Sequence, residues 1–290
     1  MAATAAPLVP GTAEWQRLIT ASKVAAILGL SPFDSPLSTW HKMKGNVPLE
    51  QETDDHRRGH YAEPAILAWF KDQHPELLGV LQPQFKTPGL PWAAATPDAL
   101  AINPDTKQRF LVEAKTARSL DEWGEPGTDE VPAYYYVQAM FQMHLARVPR
   151  CYVPVWGSWF EMAEYVIDYD ADIANGIIAR CAEFWASLEA NEPPPLDDTV
   201  ATIHTLKALH PLIEDKEVVY LDDDVAIEFI EASNDFKAAE ARKRAAQSAV
   251  LDAMGNAQKA LVGQVTVARR QPNKTGVSLY AVAKTTEAFL

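Results

Sequence analysis

The spacing of apolar residues changes along the chain, and each change marks an element. Val24, Ile27 and Leu28 recur at helical spacing behind Thr20 and Ser22, either of which can cap the helix, and Gly29 stops it. Ala62, Ile66, Trp69 and Phe70 form a second helical stripe, with Glu63 beside it near a helix start expected around Arg58–Gly59. A third helix, Tyr134–Leu145, is largely apolar yet carries amides at Gln138 and Gln142. Between these two helices the period shortens. Ala99–Ile102 and Arg109–Val112 are short apolar runs around Asn103–Gln108, and the Asn-Pro-Asp start of that stretch reads as a β-hairpin turn. Tyr152, Val153, Val155 and Tyr165, around a Gly157–Ser158 turn, predict a second hairpin that includes Trp156, Trp159 and Phe160.

Later in the chain, Ile173, Ile177, Ile178, Cys181 and Trp185 keep helical spacing until Pro193, Pro194 and Pro195 forbid continuation. The expected division falls there: a core domain over 1–195 and an appendage over 196–290. The appendage contains an Ala-rich helix over Val225–Met254, an alternating strand over Ala260–Arg270 and a turn at Asn273–Gly276. It reads either as a contact surface for oligomers or partners, or as a solvated helix packed on the core. Composition agrees, since 290 residues at 48% hydrophobic support one large domain plus an appendage. Cys151 and Cys181 are too few for a disulfide scaffold or a four-cysteine cluster. Met1–Pro7 lacks the features of a signal peptide, and no apolar run approaches a membrane span, so an intracellular protein is expected.

The first hairpin carries the candidate chemistry. With its turn centred between Asp105 and Thr106, antiparallel pairing sets Asp98 opposite Glu113, and opposed side chains sit about 5 Å apart at Cβ. Lys115 projects from the same strand face as Glu113. Two carboxylates and an ammonium on one patch suit a divalent cation beside a phosphodiester; the alternative is an exposed edge hairpin with ordinary surface charges. Glu63 also has two readings, a carboxylate complementing its helix dipole or a group reaching the hairpin. Ser22 is either a simple cap or part of a phosphate site formed with free helix N–H groups. His41, His56, His60, His74 and His144 show no metal-ligand spacing.

Taken in order, Ile19–Gly29, Gly59–Pro64, Thr96–Leu100, Glu113–Lys115 and Tyr134–Met143 resemble the YqaJ-like viral recombinase family, lambda-exonuclease-like members of the PD-(D/E)xK nucleases. The resemblance implies an α/β, restriction-endonuclease-like core, with a mixed central sheet flanked by helices. It implies a Mg²⁺-dependent exonuclease, with Mn²⁺ as a substitute, that digests duplex DNA from a 5′ end and leaves 3′ overhangs for recombination. Glu63, Asp98, Glu113 and the Ala114 carbonyl would ligate two ions, and Lys115 would orient or activate the attacking water. Gln138 and Tyr135 match the motif on the helix behind, while Ser22 and Arg17 would hold the terminal 5′-phosphate. The resemblance also implies a homo-oligomer, possible as a ring, and a single-strand annealing partner in the cytoplasm of a bacterial host, as a phage or prophage protein. Departures are local: Arg17 lies closer to Ser22 than the family spacing, Met140 replaces a second Gln, and Ala99 replaces a Gly. Two other readings are a RecB-type or restriction-like endonuclease, and a non-catalytic DNA-end-binding or recombinase-loading module on the same fold.

The net charge of −13, nearly all of it before residue 200, has the wrong sign for a general DNA coat. An enzyme that engages one DNA end through metal ions and a few local contacts tolerates it. Weak non-specific binding and strong salt sensitivity follow.

Overall fold

Residues 12–48, 53–158, 161–274 and 276–282 are described by the structure, a computed structural model. The chain divides into two units, Met1–Ile213 and Glu214–Leu290. The first begins with α1 (Ala13–Arg17), β1 (Ile19–Thr20), α2 (Ala21–Ile27), α3 (Pro36–Lys44) and α4 (Asp54–Gln73). Strands β2 (Leu78–Leu81), β3 (Phe85–Thr87), β4 (Leu90–Ala95), β5 (Ala99–Ile102), β6 (Arg109–Val112) and β7 (Lys115–Thr116) follow. Then come α5 (Ala133–Ala146), β8 (Arg150–Trp156), β9 (Met162–Asp168), α6 (Ala171–Ala190) and α7 (Val200–Leu209). The second unit holds α8 (Asp223–Met254), β10 (Lys259–Val262), β11 (Val265–Asn273) and β12 (Gly276–Ala281).

The central sheet is mixed, as expected. β5 pairs antiparallel with both β2 and β6, β6 runs parallel to β8, and β9 returns antiparallel on β8. β6 and β7 both pair parallel with β8, at successive positions. They are one strand interrupted at Glu113–Ala114, where the Glu113 N–H still reaches the Tyr152 carbonyl at 2.9 Å. The β5–β6 register sets Ala99 opposite Val112 and Ile102 opposite Arg109. Continued by one residue, it sets Asp98 opposite Glu113, as the turn position predicts. Asn103 holds that turn, its side-chain oxygen accepting from the N–H groups of Asp105 and Thr106 at 3.0 Å each. A smaller sheet, β1-β4-β3, places Thr20 beside Ala94 in a parallel pair.

Strand alternation divides the core between two layers. Leu100, Leu111, Cys151 and Val153 join Val24, Met140, Phe141 and Cys181 under α2, α5 and α6. Ala99, Ala101 and Val112 meet Phe70 of α4 in the other. A sheet covered on both faces reads as continuous apolar runs, which is why these strands lack polar alternation. Each fully buried Leu, Val or Phe contributes about 1.5–3 kcal/mol relative to exposure.

Several elements differ from the sequence expectation. α4 begins at Asp54 behind a Thr53 capping box, so Glu63 lies mid-helix and Gly59 and Pro64 are both interior. The buried stripe of α6 is Ala174, Ile177, Cys181, Phe184 and Leu188, leaving Ile173 exposed. Helix α7 lies beyond the proline run yet packs back on α3, where the Ser35 and Thr202 hydroxyls meet at 2.8 Å in a buried contact. The first unit therefore extends to Ile213 rather than ending at Pro195. In the second unit, the stretch expected as one strand is split into β10 and β11 at Gly263, whose φ of 58° is costly for other residues. With β12 they form an antiparallel meander after the helix. The β8–β9 hairpin forms as expected, although Trp159 and Phe160 lie outside the described residues. Among the described residues, no helix is long and apolar enough to cross a membrane.

Candidate active site

The interruption between β6 and β7 builds the site. At Ala114 the backbone leaves the ladder, and its N–H donates to Asp98 Oδ2 at 2.8 Å, tying the two hairpin strands at the carboxylate. Glu113 is buried, and every bond it accepts is charge-assisted. Its Oε1 accepts from Lys115 Nζ at 2.8 Å and Gln138 Nε2 at 2.6 Å, and its Oε2 from Gln142 Nε2 at 3.0 Å. Gln138 Oε1 in turn lies 3.3 Å from Lys115 Nζ. Gln138 and Gln142 stand one turn apart on α5, so a single helix face delivers both amides to one carboxylate. Tyr135, one turn earlier, places its ring 4.9 Å from Lys115 Nζ and packs against Trp123.

The electrostatics follow from this enclosure. Burial pushes the Asp98 carboxyl up to about 8, and neighbouring Glu113 and Glu63 add to it, against the opposing pull of Lys115 and the Ala114 N–H. Burial alone would lower the Lys115 pKa, but Glu113 and Asp98 outweigh it and hold the ammonium above its usual range. Lys115 is thus held as a cation and hydrogen-bond donor by these two carboxylates.

The structure brings Asp98, Glu113, Ala114, Lys115, Gln138 and Tyr135 together. Glu63 comes from α4, which packs against β7 and β8, and is near enough to act on Asp98 electrostatically. Among the described residues, however, no three Asp, Glu, His or Cys side chains are gathered closely enough to hold a metal ion. Glu113 is turned to its amide and ammonium partners instead. In donor chemistry the set still fits: carboxylate and carbonyl oxygens suit Mg²⁺ or Mn²⁺, and Asp98, raised first by burial and then by Glu113 and Glu63, is a carboxylate that a cation would help to ionise.

Ser22 and Arg17 stand apart from this cluster. Both are exposed, and among the described residues no hydrogen bond links either to Asp98, Glu113 or Lys115. Ser22 Oγ lies 3.1 Å from Thr20 Oγ at the start of α2, and Arg17 ends α1. Because β1 runs parallel beside β4, the start of α2 and the Thr96–Asp98 segment leave the same end of the small sheet. Lys23 fixes this corner, donating to the carbonyls of Trp15, Gln16 and Leu18 at 3.1, 2.9 and 2.7 Å. Burial pushes its ammonium down to about 7.

Two residues here carried no assigned role in the sequence reading. Gln142 had a visible signal, an amide one helical turn after Gln138 on an otherwise apolar helix. Lys23 had none, because its partners are backbone carbonyls.

A mixed sheet bearing Asp98 on one strand and Glu113-Ala-Lys115 on the next, backed by a helix of amides, is the arrangement that the PD-(D/E)xK resemblance implies. Residues 14–148 match the model of the YqaJ-like viral recombinase domain. The fold of the chain is similar to that of an alkaline exonuclease, LHK-Exo, from Laribacter hongkongensis. The match has 18% identity and a TM-score of 0.50, and spans 62% of this chain and 94% of that one. The same protein in complex with dAMP matches at 18% identity and TM-score 0.50, over 62% of this chain and 91% of that one. A phage-related exonuclease from Haemophilus somnus 129PT is 12% identical, with a TM-score of 0.45 over 60% of this chain and 96% of that one. No curated protein matches the sequence.

Proposed function

We propose that this protein is a Mg²⁺-dependent exonuclease that degrades one strand of duplex DNA from its 5′ end, leaving a 3′ overhang for phage-type recombination. The observation that carries the reading is the paired Asp98 and Glu113 beside a Lys115 held in its charged form. Asp98, Glu113 and the Ala114 carbonyl would hold Mg²⁺ or Mn²⁺, with Glu63 drawn in as a further ligand and room in the donor set for two ions. When bound, the ions neutralise phosphoryl oxygens and make a coordinated water more acidic.

The remaining work belongs to the chain. Lys115 donates a hydrogen bond to the attacking water or to a phosphoryl oxygen and offsets the charge that develops there. Gln138 and Tyr135 keep the ammonium in place, and Gln142 and Gln138 keep the Glu113 carboxylate from rotating. Ser22, the N–H groups at the start of α2 and Arg17 receive the terminal 5′-phosphate, which sets polarity. The protein works as a homo-oligomer, in a ring or otherwise, beside a single-strand annealing protein in the cytoplasm of the bacterial host.

The test is digestion of a linear duplex with one 5′-phosphorylated and one 5′-hydroxyl strand, by wild type and Lys115→Ala. Progressive loss of the phosphorylated strand by wild type alone, abolished by EDTA, is expected. Cleavage that resists EDTA would refute the metal dependence. End binding without strand loss in either Mg²⁺ or Mn²⁺ would favour the loading-module reading, and a preference for closed circles an endonuclease.

A further inference from the structure

Helix α8 spans 32 residues, about 48 Å at 1.5 Å per residue, yet Met254 is its sole buried residue among those described. Helices this exposed draw little stability from packing and ordinarily need a partner for an apolar face. Such a face exists. Phe229, Phe236, Lys243 and Val250 recur every seven residues, and Val225, Ala232, Ala239, Ala246 and Ala253 fill the alternate heptad positions. Phe229 is 72% exposed and Phe236 65%. Phe236, Ala239 and Lys243 line an open groove on this face.

The seam is uneven in both bulk and charge, and the unevenness identifies its occupant. Both phenylalanines lie in the N-terminal half, whereas the alternate positions of the C-terminal half are all alanine. The charges that flank the seam are Glu228 and Asp235 on one side in the first half, Arg242 on that same side in the second, and Glu240 on the other side. A parallel, in-register pair would oppose Lys243 with its own copy inside the seam and bring Asp235 beside the partner's Glu240. Both are like-charge contacts. An antiparallel pair removes both conflicts. It packs Phe236 on the partner's Ala239, Phe229 on the partner's Ala246 and Val250 on the partner's Val225. It also sets Asp235 against the partner's Arg242. Lys243 then meets the partner's Ala232, which leaves its stem room to run out to water.

We propose that α8 pairs antiparallel with α8 of a second copy of this chain through the Phe229–Phe236 seam, making the C-terminal unit a self-association device. This complementarity of size and charge is absent from the parallel arrangement and needs no other partner.

Disulfide trapping in the full-length protein tests it without confusion from any association of the first unit, since the readout is which positions meet. Chains carrying Phe229→Cys and chains carrying Ala246→Cys are coexpressed and oxidised. Asp235→Cys with Arg242→Cys serves as a second pair at exposed positions that folding tolerates. The expected result is a disulfide-linked dimer from each mixed pair, absent when either variant is oxidised alone. Self-linking of Phe229→Cys would show a parallel pair and overturn the proposal. So would the absence of any linked dimer from both mixed pairs, which would mean that α8 is covered by something other than a second α8.

Discussion

Gln142 separates stability from activity in a way that can be worked out in advance. Gln142→Leu removes the Nε2 donor from Glu113 Oε2, a 3.0 Å bond, and hydrogen bonds to charged groups contribute about 1.5–3 kcal/mol. The same change removes Gln142 Oε1, which is buried without a hydrogen-bond partner; such an orphaned group costs about 1–3 kcal/mol. These terms oppose each other, and Leu suits a position whose helix neighbours include Met140, Phe141 and Met143, all buried. The net change in stability is expected to stay within about 1 kcal/mol, a Tm shift of about 2–4 °C for a unit of this size. Activity has no such cancellation. Glu113 keeps Lys115 and Gln138 on one oxygen only and is free to rotate, and loss of a partner behind a metal ligand typically costs about 10–100-fold. Thermal melts would be paired with initial rates of strand loss across a Mg²⁺ series, with the deficit expected to be largest at limiting Mg²⁺. A Tm drop beyond about 8 °C would show that the bond is structural and the ledger wrong. Wild-type rates at every Mg²⁺ concentration would show that the Oε2 anchor has no part in the site.

Two further outcomes follow from other contacts. Ser35→Ala removes both the cap on the Ser38 N–H at 3.0 Å and the buried partner of Thr202, so a loss of about 1–3 kcal/mol is expected in urea unfolding. Thr202→Val, which keeps the cap, should cost less, and the reverse order would refute the assignment. For pH, Asp98 is raised by burial, Glu113 and Glu63 from 3.8 to about 8, so between these values the folded chain keeps a proton that the unfolded chain has lost. The stability due to Asp98 is then complete at acid pH and declines as pH climbs toward 8. In EDTA, the Tm of Asp98→Asn should rise relative to wild type between pH 5 and 8, and a constant difference would exclude Asp98 as the titrating group.

What could be read from the chain alone was whatever short-range rules decide. The Asn103 turn and the two-residue period of strands place Asp98 opposite Glu113 without reference to the rest of the molecule, and the β8–β9 hairpin follows the same logic. The ordered motifs from Ile19 to Met143 carried the family for the same reason: each is a local string. Punctuation rules failed where packing overrode them. Gly59 and Pro64 look like boundaries, but a capping box at Thr53 and the burial of Ile66 and Phe70 carry α4 through both, moving Glu63 from helix start to helix middle. The prolines after Glu192 do end α6, yet the domain continues because Ser35 and Thr202, 167 residues apart, meet in a buried contact. Only the tertiary structure could supply the partners of Glu113. Its three donors come from its own strand and from α5, and which helix face lies over which strand is settled by the core, not by spacing. Lys115 shows the limit most clearly: the sequence places an ammonium beside two carboxylates, but only the tertiary structure brings them close enough to outweigh burial and keep it charged.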